Sequence, residues 1–219
     1  DLCSLNPNED RLTFSVVFHI KKDSLNHFMV TDRWFGKTVI HSDKRWSYED
    51  AQKSLDNIRG LYHTELAVLD MIAKQFREEK FKNGAIDFER DEVKFKLDQD
   101  GIPIEVYKKE RLDTHKLIEE FMLLANREVA EFLNKKIGKG RGASIYRIHD
   151  VPDREKIIEL SIFLKAMGYD LKTQDGKVTA QNIASMLKHI EGKPSESLIK
   201  TAALRSMAKA IYSTRNIGH

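Results

Sequence analysis

Leu117-Ile118-Glu119-Glu120-Phe121-Met122-Leu123-Leu124-Ala125 is apolar at every position except for two adjacent carboxylates. It lies within a run, from about residue 112 to 136, whose pattern predicts a long helix. A helix that is apolar nearly all round is expected to be buried on most of its sides. Glu119 shares a face with Met122 and Leu123 and stands one turn from His115. A carboxylate among apolar groups is costly unless it is paired or hydrogen-bonded. Two readings follow from the pattern alone. Either Glu119 is aimed into a site, where it accepts a hydrogen bond from a substrate hydroxyl, or His115 pairs with Glu119 and Lys116 with Glu120 at i→i+4 spacing.

Upstream, a first long helix is expected from Ser47, where a capping hydroxyl precedes Glu49 and Asp50. Ala51, Leu55, Ile58, Tyr62, Leu66, Leu69, Ile72 and Phe76 recur at spacings of three and four. Gly60 weakens its middle and marks a candidate break, and Asn83-Gly84 is a natural stop. Before it, Arg11–Ile20 alternates in the manner of a strand, with Leu12, Phe14, Val16 and Phe18 on one face. A turn is expected at Lys21–Asp23, and one or two strands between about Phe28 and His41. Between the long helices, Val93, Phe95 and Leu97 alternate with charge. The turn Asp98–Gly101 then leads to a partner strand, Ile102–Tyr107. Downstream come a short strand at Ser144–Ile148 and a helix opened by Pro152 and ended before Gly168. Helices at Ala180–Ile190 and about Ser195–Tyr212 follow, separated by Gly192-Lys193-Pro194. The expected class is α+β: a mixed sheet with long helices, organised as one unit over residues 1–219.

With 37 basic and 34 acidic side chains, the net charge is only +3, so any nucleic-acid site must come from local placement of charge. The single Cys3 excludes an internal disulfide and a multi-cysteine zinc site, and fits a reducing, cytoplasmic setting. No stretch has the length and apolarity of a membrane span. No phosphate loop, His-Glu-x-x-His motif or cysteine pair is present. His41, His115 and His149 lack ligand-like spacing and read as structural. The basic stretch Gly138–Gly142 reads either as a phosphate-touching loop or as a surface loop. Aromatics beside charge, at Trp34-Phe35, Trp46-Ser47-Tyr48 and Phe88 within Ile86–Arg90, read either as stacking platforms for bases or as core.

Five stretches, taken together, carry a resemblance. Leu2-Cys3-Ser4-Leu5-Asn6-Pro7-Asn8-Glu9-Asp10-Arg11-Leu12 resembles the segment that follows the catalytic aspartate cluster in 3′→5′ exoribonucleases of the ribonuclease II/ribonuclease R (RNB) family. Ser42-Asp43-Lys44-Arg45-Trp46-Ser47-Tyr48 is similar to that family's Ser-x-Ala-Arg-Leu-Thr-Tyr stretch. Ile118–Asn126 looks like its Ile-Glu-Glu-x-Met-x-Leu-Ala-Asn helix, and Tyr146–Asp150 resembles its Arg-Ile-His-Asp strand end. Arg205–Tyr212, followed by Asn216–His219, looks like the segment leading into its Thr-Ser-Pro-Ile-Arg-Arg motif.

The resemblance implies a partial RNB catalytic domain over 1–219 and single-stranded RNA as the partner. It also implies processive release of nucleoside 5′-monophosphates, with Mg²⁺ held by aspartates upstream of Asp1 and an arginine motif downstream of His219. On that layout the chain holds no catalytic and no metal-binding residue, and is expected to be inactive alone. Its RNA-binding residues would be Phe88, stacking on a base near the 3′ end, and Tyr48 and Glu119, near the last riboses. A carboxylate and a phenol suit recognition of the 2′-hydroxyl that separates RNA from DNA. The alternative is a non-catalytic RNA-binding or assembly module of the same fold. The start at Asp1 and the stop at His219 read as those of a piece of a longer protein. Such a piece is expected to expose apolar surface through which a non-native oligomer forms.

Overall fold

The computed structural model describes residues 3–85, 92–137, 144–172 and 178–217. The class is α+β, as expected from the sequence. Among the described residues the strands pair as three two-stranded antiparallel sheets, in place of the one mixed sheet expected, and the described chain divides into two compact units. The first unit comprises Asp1–Glu78 and Arg111–Gly138, and the second Glu79–Glu110 and Lys139–His219.

In the first unit, β1 (Asp10–Lys22) and β2 (Phe28–His41) form one long hairpin. Its turn falls at Asp23–His27, a little later than expected. One Asp23 carboxylate oxygen accepts from the Leu25 and His27 N–H groups, and Asn26 takes a positive φ of 66°. The register shifts between His19 and Ile20, and the hydroxyl of Thr31 donates to the His19 carbonyl there. One face carries linked hydroxyls: Thr38 lies 2.6 Å from both Thr13 and Ser15. The opposite face is apolar yet open, with Leu12 at 87% and Phe14 at 71% exposure. Trp34 lies across Gly36, where an added Cβ would stand 2.3 Å from the indole.

The helix expected from residue 47 to 83 is two helices, α1 (Tyr48–Asp56) and α2 (His63–Lys82), interrupted around Gly60. A Cβ at Gly60 would stand 2.5 Å from the Ser54 carbonyl oxygen, and the buried Ser54 hydroxyl donates to the Leu61 carbonyl at 2.5 Å. The chain can fold back this tightly only over a residue without a side chain. Then α3 (Asp113–Ile137) supplies the buried Leu117 and Leu124, and Ala51, Ile72 and Ala73 are buried in the same unit. Phe35 of β2 stacks on Phe132 of α3 at 4.4 Å.

The second unit contains the hairpin β3 (Glu92–Leu97) and β4 (Pro103–Lys109), whose Phe95 and Val106 stand opposite one another, both exposed. Its core lies elsewhere. It is built by α4 (Arg154–Ala166), α5 (Ala180–His189) and α6 (Glu196–Ser206), which gather Leu160, Leu164, Ile183, Leu187, Ile190 and Ile199. Asp153 caps α4 through the Glu155 N–H, so Pro152 precedes the cap instead of opening the helix. Thr179 and Asn182 form a reciprocal capping box on α5. The last helix is shorter than the expected Ser195–Tyr212. It stops at Ser206, whose hydroxyl turns back to the Ala203 carbonyl. Ile211–Ser213 is instead a strand, β6, paired with β5 (Tyr146–Ile148). Ile211 and Tyr212 are good strand formers, and a partner strand was on offer.

Candidate nucleic-acid interface

The candidate interface is assembled where the start of α1 meets the start of α3 in the first unit. Ser47 caps α1, its hydroxyl accepting from the Asp50 N–H at 3.1 Å, and so places Tyr48 at the first helical position. Two bonds tie this end to α3. The Thr114 hydroxyl donates to the Tyr48 carbonyl at 3.0 Å, and the Thr114 N–H donates to Gln52 Oε1 at 3.1 Å. The Tyr48 ring, 42% exposed, stacks on the His115 imidazole with centroids 4.0 Å apart and planes 16° from parallel. His115 Nδ1 in turn accepts from the Leu112 N–H at 3.2 Å.

Glu119 is one helical turn beyond His115 and forms an ion pair with Arg111. It is only partly covered, and the buried carboxylate of the pair is its neighbour Glu120, 4% exposed, which faces Arg77 at 3.7 Å. This corrects the sequence expectation in two respects. The helix is not buried on most sides, because Ile118, Met122 and Leu123 are 44%, 59% and 44% exposed. Of the local pairs, Lys116 reaches Asp113 at 3.3 Å instead of Glu120, and Arg111 reaches Glu119. An apolar side chain on a helix marks only a candidate core face. Here the buried stripe is Leu117, Glu120 and Leu124, at spacings of three and four.

Lys74 of α2 braces the same region, 2.7 Å from Asp70 and 3.4 Å from Asp113. The hydrogen bond to Asp70, together with the charges of Asp70 and Asp113, holds the Lys74 ammonium above its ordinary range. Burial pushes the Asp113 carboxyl up, but the Lys116 hydrogen bond and the Lys74 charge outweigh it and lower the net value.

Of the three residues expected to touch RNA, the structure brings Tyr48 and Glu119 to one end of α3, both next to His115. Phe88 and the Gly138–Gly142 loop lie outside the described residues. Among the other flagged aromatics, Phe35 is packed on Phe132, and Trp46 has the Lys44 ammonium 5.2 Å from its ring. The histidines have structural contacts: His41 meets Asp10 at 2.8 Å and His149 Nδ1 meets the Ala208 carbonyl at 3.0 Å. Sequence reading missed the partnership of His115 with Tyr48. Neither helical period nor motif spacing joins residues on different helices. Among the described residues, no three His, Cys, Asp or Glu side chains gather to hold a metal ion.

A family model for the RNB domain matches residues 1–219. The chain belongs to the RNB family. It is 39% identical to the DIS3-like exonuclease 2 of Schizosaccharomyces pombe, with 96% of this chain and 24% of that protein aligned. It is 35% identical to the ribonuclease R of Thermotoga maritima, over 100% of this chain and 30% of that protein. Among solved structures it superposes on Mycoplasma genitalium RNase R in complex with ribose methylated single-stranded RNA. That match has a TM-score of 0.84 at 25% identity and covers 100% of this chain and 34% of that one. The chain therefore spans about a quarter to a third of the length of these RNB relatives, which carry ribonuclease or exonuclease names. No helix among the described residues is long and apolar enough to cross a membrane.

Proposed function

We propose that this chain is the RNA-holding part of a hydrolytic 3′→5′ exoribonuclease that degrades single-stranded RNA processively to nucleoside 5′-monophosphates in the cytoplasm. The observation that carries the reading is the RNB match across residues 1–219, together with relatives named ribonuclease R. The complex of one such relative with single-stranded RNA supports the choice of partner.

In this reading, Tyr48 and Glu119 meet the terminal riboses and Phe88 stacks on a base. Glu119, ion-paired with Arg111, is an acceptor of the kind a 2′-hydroxyl needs, since an ionised carboxylate offers about four lone-pair sites. Arg111 holds that carboxylate in one orientation and adds positive charge where a phosphodiester would pass. The described residues present no donor set for Mg²⁺. In the proposal its aspartate ligands, and the arginine motif, belong to other parts of a longer protein. The chain by itself is then an incomplete RNB catalytic domain without hydrolytic activity.

The test is the full-length protein with 5′-labelled single-stranded RNA, in Mg²⁺ and in chelator. The expected result is Mg²⁺-dependent shortening from the 3′ end with release of nucleoside 5′-monophosphates. Binding of RNA without any release in Mg²⁺ would overturn the hydrolytic reading in favour of a binding module.

A further inference from the structure

The ring of Tyr48 is not left to find its own position. An exposed tyrosine at the first residue of a helix has two free side-chain torsions, and its phenol would sample several rotamers. Here one face of the ring is covered by His115, stacked at 4.0 Å and nearly parallel. The imidazole is itself held. Its Nδ1 accepts the Leu112 N–H, one of the donors that the start of α3 leaves without an intrahelical acceptor. That bond requires an unprotonated Nδ1, so the neutral ring carries its proton on Nε2. The backbone is tied at the same place, the Thr114 hydroxyl donating to the Tyr48 carbonyl. A chain of contacts thus runs from the start of α3, through His115, to the Tyr48 ring. Arg111, Leu112, Thr114, His115 and Glu119 all come from one stretch of nine residues, so α3 sets both the phenol and the carboxylate.

We propose that His115 is a positioning residue for ribose selection: it fixes the Tyr48 ring in the orientation that recognises a 2′-hydroxyl, without touching RNA itself. The proposal rests on the function proposed above. Its physical content is preorganisation. A ring already in place loses little freedom when the ribose arrives, whereas a mobile ring must be ordered at the expense of affinity. Only a substrate that uses the fixed phenol gains from this. His115 therefore acts on the preference for RNA over DNA more than on binding in general.

The experiment uses the full-length protein in Mg²⁺ with two substrates, one ending in a 3′-terminal ribonucleotide pair and one in the corresponding 2′-deoxy pair. The readout is the ratio of kcat/KM for the two. His115→Ala is expected to lower that ratio by about threefold to tenfold, the scale of one aromatic pair. The loss should arise from the ribo substrate, with the deoxy substrate nearly unchanged. His115→Phe keeps a flat ring for the stack and is expected to recover most of the ratio. His115→Gln keeps a side-chain acceptor but no ring, and is expected to behave like His115→Ala. A thermal melt of each variant reports folding separately. An unchanged ratio in His115→Ala would overturn the proposal, and so would an equal fall for both substrates. Either result leaves the proposed function standing, because the wild-type protein still degrades RNA in the same assay. A wild-type protein that releases nothing would instead remove the proposed function, and this inference with it.

Discussion

The two compact units bury polar side chains in different proportion. In the second, the buried residues packed around α4, α5 and α6 are Leu160, Leu164, Leu171, Ile183, Met186, Leu187, Ile190, Ile199 and Ala203, with Ser206 the one buried polar side chain beside them among the described residues. In the first, the buried residues include Ser54, Asp70, Thr114, Glu120 and Glu128 beside Ala51, Ile72, Ala73, Leu117 and Leu124. Apolar packing is non-directional and tolerates small shifts, whereas hydrogen bonds and ion pairs fix distance and angle. The unit that carries the candidate interface is thus held by directional contacts. Arg33 meets Glu128 at 2.7 Å, Lys74 meets Asp70 at 2.7 Å, and Thr114 reaches both Tyr48 and Gln52. Such contacts add less net stability than a close-packed core, but they set where side chains point.

The contrast can be broken first by emptying the apolar core. Leu164 is 0% exposed, so Leu164→Ala is expected to destabilise by about 2–5 kcal/mol. Hydrogen exchange should rise sharply in α4, α5 and α6 and little in α3. Equal loss of protection in α3 would mean that the two units share one cooperative core. Next in size is Glu120→Ala, which removes the buried carboxylate that the largely covered Arg77 guanidinium faces. A cost of roughly 1–3 kcal/mol is expected, with increased exchange in α2 and α3 and none in α5. Thr179→Ala removes the capping box of α5 and should cost about 1 kcal/mol, seen as fraying of Ala180–Ile183.

The smallest effect is electrostatic and belongs to the first unit. Asp113 is lowered below its ordinary value, so its contribution is present above that value and is lost as pH falls through the folded one. Lys74 is raised, so its contribution is complete below its ordinary value and is lost as pH rises through the folded one. The contact of Lys74 with Asp113 is therefore intact between the acid and alkaline limits. Lys74 is 55% exposed, so solvent keeps the effect small. Exchange at the start of α3 should rise at both pH extremes in wild type, and Lys74→Met should flatten that response.

The sequence made some of this legible and left the rest closed. Elements with strong local signals read correctly. Gly60 marked the break between α1 and α2, Gly168 the stop after α4, and Asp98–Gly101 the β3–β4 turn. Competition between local and long-range choices did not. Ile211 and Tyr212 continue a helical pattern on paper, yet pair with β5 because a strand lies beside them. Glu119 looked like the buried carboxylate because its neighbours are apolar, but helix rotation buries Glu120. The open apolar faces of β1–β2 and β3–β4 agree with the expected exposure of apolar surface. As for the candidate interface, composition and periodicity pointed to Glu119 only as one of two readings. Tyr48 and Phe88 stood out only as aromatics beside charge, and family resemblance gave them their expected roles. His115 was visible as a neighbour of Glu119, but its stack on Tyr48 is a tertiary contact that no local pattern encodes.

The proposed function depends above all on the carboxylate that the start of α3 would present to the terminal ribose. The most direct test is Glu119→Ala in the full-length protein, comparing cleavage of strands that end in ribose and in 2′-deoxyribose. Arg111 and Glu119 are both partly exposed, so the fold should survive the change. The preference for ribose is expected to fall by about tenfold or more, the scale of a lost charge-assisted hydrogen bond, if Glu119 meets the terminal ribose. A variant that melts like wild type and still prefers ribose to the same degree would contradict it.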